Sequence, residues 1–241
     1  MVLEQVAFDI ETTGFAVDDA VTVVGFAVPA GLRVFVQTSD RSASDIESAV
    51  AAVTPAETLV NVSTHMSEQD LLTAVAAFVA DRLAGDDVLL VAYNGERWNG
   101  GFDVPFLRTR YAQQGQEWPF VDVPYADLMP IVADRFNTTV RSGGGDGDDG
   151  GDGGDGDAAA TRERNDLGHA YAVLCDGAYE NVDPFESSAA AVTAFEDGRF
   201  AELAQHNVAD VLRTQAIGRV TEQYCAKSEF NVKSLTPTRN P

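Results

Sequence analysis

The sequence predicts an α/β fold, a central sheet flanked by helices, on three observations. Short apolar runs at 4–10, 21–28, 32–37 and 88–92 have the length and make-up of strands. Residues 67–84 and 200–224 carry uninterrupted helical patterns instead. The two kinds of segment alternate along the chain, and 241 residues are enough for one such unit with a full core. The expected division is therefore one domain over residues 1–225 and a C-terminal tail over 226–241.

The first strand ends in Phe8-Asp9-Ile10-Glu11-Thr12-Thr13-Gly14. Alternate strand residues point to opposite faces, so Asp9 and Glu11 share one face while Phe8 and Ile10 pack the other. Two carboxylates side by side raise each other's pKa unless a cation neutralises them, and a divalent metal with oxygen ligands does so most simply. The segments 21–28 and 32–37 continue the sheet as a meander. Ser67, with Asp70 three residues on, caps the helix over 67–84.

The strand at 88–92 runs into Tyr93-Asn94-Gly95, a loop, and then Gly101-Phe102-Asp103-Val104-Pro105-Phe106-Leu107. A helix is expected to begin near Pro105, an accepted first-turn position, which puts Asp103 at its N-terminus as a cap or as a ligand. Asp127-Leu128-Met129-Pro130 reads as a short strand and turn, with Asp127 structural or in support of the site. Residues 143–157 contain only Gly and Asp, a composition that cannot form a packed core, and they lack the apolar position of calcium-binding nonapeptide repeats. They are expected to be a disordered, solvating insertion. A short helix is expected between Asp183 and Arg199, then the long helix over 200–224. In that helix His206 and Asp210 are four residues apart and project together, as a surface pair or as part of a site. The tail from Ala226 is expected to fray.

The three acidic settings, in this order, resemble the motifs of the DEDD (DnaQ-like) superfamily of 3′–5′ exonucleases, which have an RNase H-like fold with a mixed central sheet. The pattern is most similar to the proofreading domains of family-B DNA polymerases and their stand-alone, YprB-like relatives. The segment Asn165-Asp166-Leu167-Gly168-His169-Ala170-Tyr171-Ala172-Val173-Leu174-Cys175 resembles the helix before the last motif of those relatives. The resemblance implies two Mg²⁺ or Mn²⁺ ions about 4 Å apart, held by Asp9, Glu11, Asp103 and Asp210. It implies that His206 orients or deprotonates the attacking water, and that Thr13, Gly14, Phe15, Asn94 and Phe102 meet a single-stranded 3′ end of DNA or RNA. Phe15 suits either base stacking or core packing. Two departures stand out: the loop from Glu96 to Gly100 is longer than in most of the family, and a histidine occupies the spacing usual for tyrosine. Two other readings are a non-catalytic nucleic-acid-binding module on the same fold and an endonuclease of the RNase H or resolvase type. A polymerase or helicase partner is left open.

Composition bears on the substrate. Sixteen Lys and Arg against 38 Asp and Glu give a net charge of −22, unusual for a protein that would hold a polyanion. Only Lys227 and Lys233 are lysines. An acidic, lysine-poor globular sequence resembles the cytoplasmic proteins of extreme halophiles, and in molar salt the screening length falls to about 3 Å. Binding would then rest on metal ions, stacking and direct contacts. Cys175 and Cys225 show no metal-binding spacing and read as reduced thiols. With no apolar run long enough to span a bilayer and no basic segment at its start, the chain is expected to be cytoplasmic, without membrane attachment.

Overall fold

The computed structural model describes residues 3–84, 87–96, 102–141, 161–185 and 188–238. The Gly/Asp segment, and the part of the second-motif loop from 97 to 101, lie outside these residues.

A mixed seven-stranded sheet is flanked by helices on both faces. Its strands are β1 (Glu4–Thr12), β2 (Val21–Val28), β3 (Gly31–Gln37), β4 (Leu59–His65), β5 (Val88–Ala92), β6 (Pro124–Asp127) and β9 (Lys233–Ser234), in the order β4-β3-β2-β1-β5-β6-β9. β1, β2 and β3 form the expected antiparallel meander. On the far side of β1, β5 and β6 run parallel to it, as parallel strands with helical connections do. β5 is buried along its whole length, which is why it reads as a continuous apolar run rather than an alternating one. Strands β7 (Thr139–Arg141) and β8 (Thr161–Glu163) pair as a separate ribbon on either side of the undescribed segment.

Helices α1 (Ile46–Val53), α2 (Glu68–Arg82), α3 (Asp103–Gln113), α4 (Leu128–Arg135), α5 (Leu167–Leu174), α6 (Ser188–Glu196) and α7 (Phe200–Tyr224) complete the layers. The alternation in β1 divides the core. Val6, Phe8 and Ile10 pack on the side of α2 and α3, with Leu71, Leu72, Leu107 and Tyr111. Ala7 faces the other way, toward Val208, Val211 and Leu212 of α7. Asp9 and Glu11 follow Ala7 in phase, so their carboxylates sit on the α7 side. α7 lies very close to the sheet, and two glycines permit it. A Cβ on Gly25 of β2 would stand 1.9 Å from Asn207 Oδ1, and one on Gly218 of α7 would stand 2.1 Å from Gln5 Oε1.

The Ser67 cap is present: its hydroxyl accepts from Asp70 N at 3.1 Å and donates to Asp70 Oδ2 at 2.6 Å. Several expectations need correction. β1 runs two residues past Ile10, with a register irregularity between Glu11 and Thr12. α3 begins at Asp103, not at Pro105, with Phe102 at the cap position and no side-chain cap bond. Asp127 is followed by a helix rather than a turn; it caps α4 by accepting from Met129 N, and Pro130 sits in the first turn, where its missing N–H costs nothing. The tail does not fray over 226–238. β9 pairs antiparallel with β6, Leu235 is buried, its carbonyl accepts from Trp118 Nε1 at 3.0 Å, and Lys233 bonds Glu96. Apolar anchors at Phe230 and Leu235 outweigh the entropy of ordering a polar segment. Among the described residues no helix is long and apolar enough to cross a membrane.

Candidate metal centre

Three segments far apart in sequence deliver the acidic side chains to one place. β1 supplies Asp9 and Glu11, the first turn of α3 supplies Asp103, and α7 supplies His206 and Asp210. Asp103 reaches the cluster because Val104 N donates to Gly95 O at 2.9 Å, tying the start of α3 to the end of β5. A Cβ on Gly95 would stand 2.9 Å from Asp103 Oδ2, so the loop passes directly over this carboxylate. His206 is 5% exposed, so the His206–Asp210 pair is no surface decoration.

Burial and mutual repulsion dominate the electrostatics of the cluster, against His206 and Arg213 as its nearby positive groups. Burial raises Asp9 well above the ordinary carboxylate range, and Asp103, Glu11 and Asp210 add to it, against one hydrogen bond from Asn207. Burial likewise raises Asp103 well above its usual value, with Glu11, Asp127 and Asp210 contributing. Glu11 is pushed up to about 8, first by burial, with the His206 imidazole opposing. Asp210 is raised by burial, with His206 and Arg213 pulling it back. Burial alone would lower His206, but its hydrogen bond to Asp183 and the nearby Glu11 and Asp210 hold it up at about 9. At neutral pH the cluster therefore retains protons that a divalent cation would displace. Glu11, His206 and Asp210 each offer a ligand atom, all within 4.8 Å of one another; Asp9 and Asp103 border this trio.

Supporting residues went unnoticed in the sequence. Asn207 Nδ2 donates to Asp9 Oδ2 at 2.9 Å and fixes that carboxylate, while its own Oδ1 is buried without a partner among the described residues. Asp183, in the loop after α5, accepts from His206 Nδ1 at 2.8 Å. Its other oxygen accepts from Arg213 at 3.1 Å, and the same guanidinium nitrogen reaches Asp210 Oδ1 at 3.2 Å. Arg213 lies three residues after Asp210, a helical spacing that was readable. Asp127 accepts from Asn94 N at 2.8 Å and Glu96 N at 3.2 Å, and so holds the loop over Asp103.

Of the expected substrate residues, Phe15 and Phe102 touch each other, Thr13 and Gly14 lie in the turn after β1, and Asn94 lies in the loop after β5. Thr13 spends its N–H on Ala20 O and its hydroxyl on Asp19, and Gly14 is packed against the same aspartate, so the turn after β1 is rigid. Phe15 is 66% exposed, which excludes the core-packing reading, and it meets Phe102 edge to face at 5.0 Å. Phe102 in turn packs on Phe106. Asn94 takes a positive φ of 63°, and its Oδ1 is buried without a partner among the described residues. No protein-family model matches the chain, and no curated protein matches it either.

Proposed function

We propose that this chain is a metal-dependent 3′–5′ exonuclease with an RNase H-like fold that hydrolyses the phosphodiester at the end of a single-stranded DNA or RNA. The observation that carries the reading is the meeting of Asp9, Glu11, Asp103 and Asp210, from three separate segments, in one half-buried cluster beside a histidine. Keeping so many carboxylates together is costly without cations, and that cost is characteristic of functional sites. The β1–β2–β3 meander with parallel β5 beside β1 supports the fold assignment.

The carboxyl-rich donor set fits hard divalent cations. Asp9, Glu11, Asp103 and Asp210 would hold two of them, and bound Mg²⁺ or Mn²⁺ would supply Lewis-acid stabilisation of the phosphoryl oxygens and a more acidic water. The chain's own residues do the rest. Asn207 orients Asp9, and Asp183 orients His206 beside Glu11. The exposed ring of Phe15, backed by Phe102, offers a face for the terminal base.

The test uses 3′- and 5′-labelled oligonucleotides of DNA and RNA, incubated in molar KCl with Mn²⁺ or Mg²⁺. A ladder shortening from the 3′ end is expected, with activity lost on chelation and reduced at least about a hundredfold in Asp9→Asn. Cutting of circular or end-blocked substrates would replace this reading with an endonuclease. A folded, metal-loaded protein that binds single strands and cuts none would replace it with a binding module.

A further inference from the structure

The imidazole of His206 is placed to hold a cation rather than to take a proton from a water. Its Nδ1 lies 2.8 Å from Asp183 Oδ1, and an ionised carboxylate can only accept, so Nδ1 carries the proton. In the neutral ring the lone pair is then on Nε2. That atom faces Glu11 Oε1 at 3.8 Å, too long for a hydrogen bond. Two ligands of one ion, each at about 2.1 Å, stand up to about 4.2 Å apart, so this separation suits a shared cation. Asp210 completes a trio whose donor atoms all lie within 4.8 Å of one another, and the side chains would draw in by about 1 Å to share one cation.

We infer that His206 Nε2 is itself a metal ligand, and that Glu11, His206 and Asp210 form a site selective for a first-row transition dication such as Co²⁺, Zn²⁺ or Mn²⁺ over Mg²⁺. Imidazole is a ligand of transition metals, whereas Mg²⁺ prefers oxygen and retains its waters. Behind the ring the structure has the carboxylate that metal-bound imidazoles characteristically use to fix their tautomer and raise their basicity. Asp183 is held in turn by Arg213, and Phe185 packs against the imidazole with ring centroids 5.5 Å apart, which favours the observed ring orientation. The inference deepens the proposed function by naming the cation at one position of the same centre.

Metal binding is read directly on the full chain, stripped of metal and returned to molar KCl. Pulsed electron paramagnetic resonance of the Mn²⁺-loaded wild type should show coupling to a ¹⁴N nucleus, and His206→Gln should abolish it. Titration with Co²⁺, followed by visible absorption, should show affinity falling about a hundredfold in His206→Gln and about tenfold in Asp183→Asn. Mg²⁺ affinity, measured by calorimetry, should change less than about twofold in His206→Gln. Absence of ¹⁴N coupling in the wild type would overturn the inference without relying on any variant, as would wild-type Co²⁺ affinity in a folded His206→Gln. Co²⁺ bound through nitrogen in a protein that cuts no nucleic acid would leave this inference standing and remove the exonuclease reading.

Discussion

Asp9 is positioned by two neighbours that have no charge. Asn207 donates to its carboxylate, and Gly25, its partner across the β1–β2 pair, leaves the space into which Asn207 fits. A methyl group at Gly25 would stand 1.9 Å from the Asn207 carboxamide, so either that side chain or the whole of α7 must retreat from the sheet. Overpacking of this kind costs about 1–3 kcal/mol. Gly25→Ala should therefore lower the melting temperature by roughly 2–12 °C, and it should weaken metal binding because Asp9 loses its anchor. Gly168→Ala is the matched control: its added carbon would come no closer than 3.8 Å to Asp166 Oδ1, within a helix that favours alanine. Equal melting temperatures for the two variants would show that the close approach of α7 is not needed.

At the scale of elements, Glu68 in the first turn of α2 joins three parts of the fold. Its buried carboxylate accepts from Arg110 of α3 at 2.6 and 2.8 Å, from Val21 N at the start of β2 and from Gln114. Arg110 also donates to Val17 O, so the pair braces the turn that carries Phe15. Removing one member of a buried pair costs about 3–5 kcal/mol, because the other is left charged and unpaired. Glu68→Ala should melt roughly 6–20 °C lower, and the double variant Glu68→Leu with Arg110→Leu should recover part of that loss. A double variant that melts lower than Glu68→Ala would locate the stability in the arginine's other contacts. Neither this pair nor the Asp183–His206 contact was legible in the sequence, since both join residues with no periodic relation, 42 and 23 positions apart. Asp9 and Glu11 were legible as alternate residues of a strongly apolar strand, and Asp103 because it begins a helix just after a glycine-rich stretch of sequence. α1 and β4 went unread because β4 is an edge strand, half-exposed and mixed in polarity. β9 is only two residues long and is not itself buried; it is held by pairing with β6 and by Trp118, which bonds the carbonyl of Leu235 just beyond it, rather than by a pattern of its own.

Over the whole molecule, the buried cluster and the surface charge both make stability depend on pH, and molar salt separates them. The net charge is −22, most acidic side chains among the described residues are exposed, and their mutual repulsion is screened within about 3 Å at 1 M ionic strength. What remains is mainly the centre, since His65, lowered by burial, adds an opposite slope only as pH rises toward 6.5. Glu11 moves from 4.5 to about 8 on folding, Asp9, Asp103 and Asp210 move in the same direction, and His206 moves from 6.5 to about 9. Each of these groups binds its proton more tightly in the folded protein than in the unfolded chain. Their contribution is therefore complete below the unfolded values and fades as pH rises through the folded ones. The metal-free protein should melt at progressively lower temperature between pH 5.5 and pH 9. Asp183 is shifted the opposite way, below 3.8, and so contributes no slope in this window. A divalent cation replaces the lost protons as counter-charge, so its stabilisation should grow with pH and flatten the curve. Thermal unfolding in 2 M KCl, with a chelator and with saturating Mn²⁺, checks this at pH 5.5, 7 and 8.5. A metal-induced rise in melting temperature that is larger at pH 8.5 than at pH 5.5, and that shrinks in Asp9→Asn, is the expected result. An equal rise at both pH values would mean that the cation binds elsewhere on the acidic surface, and that the four carboxylates are not its site.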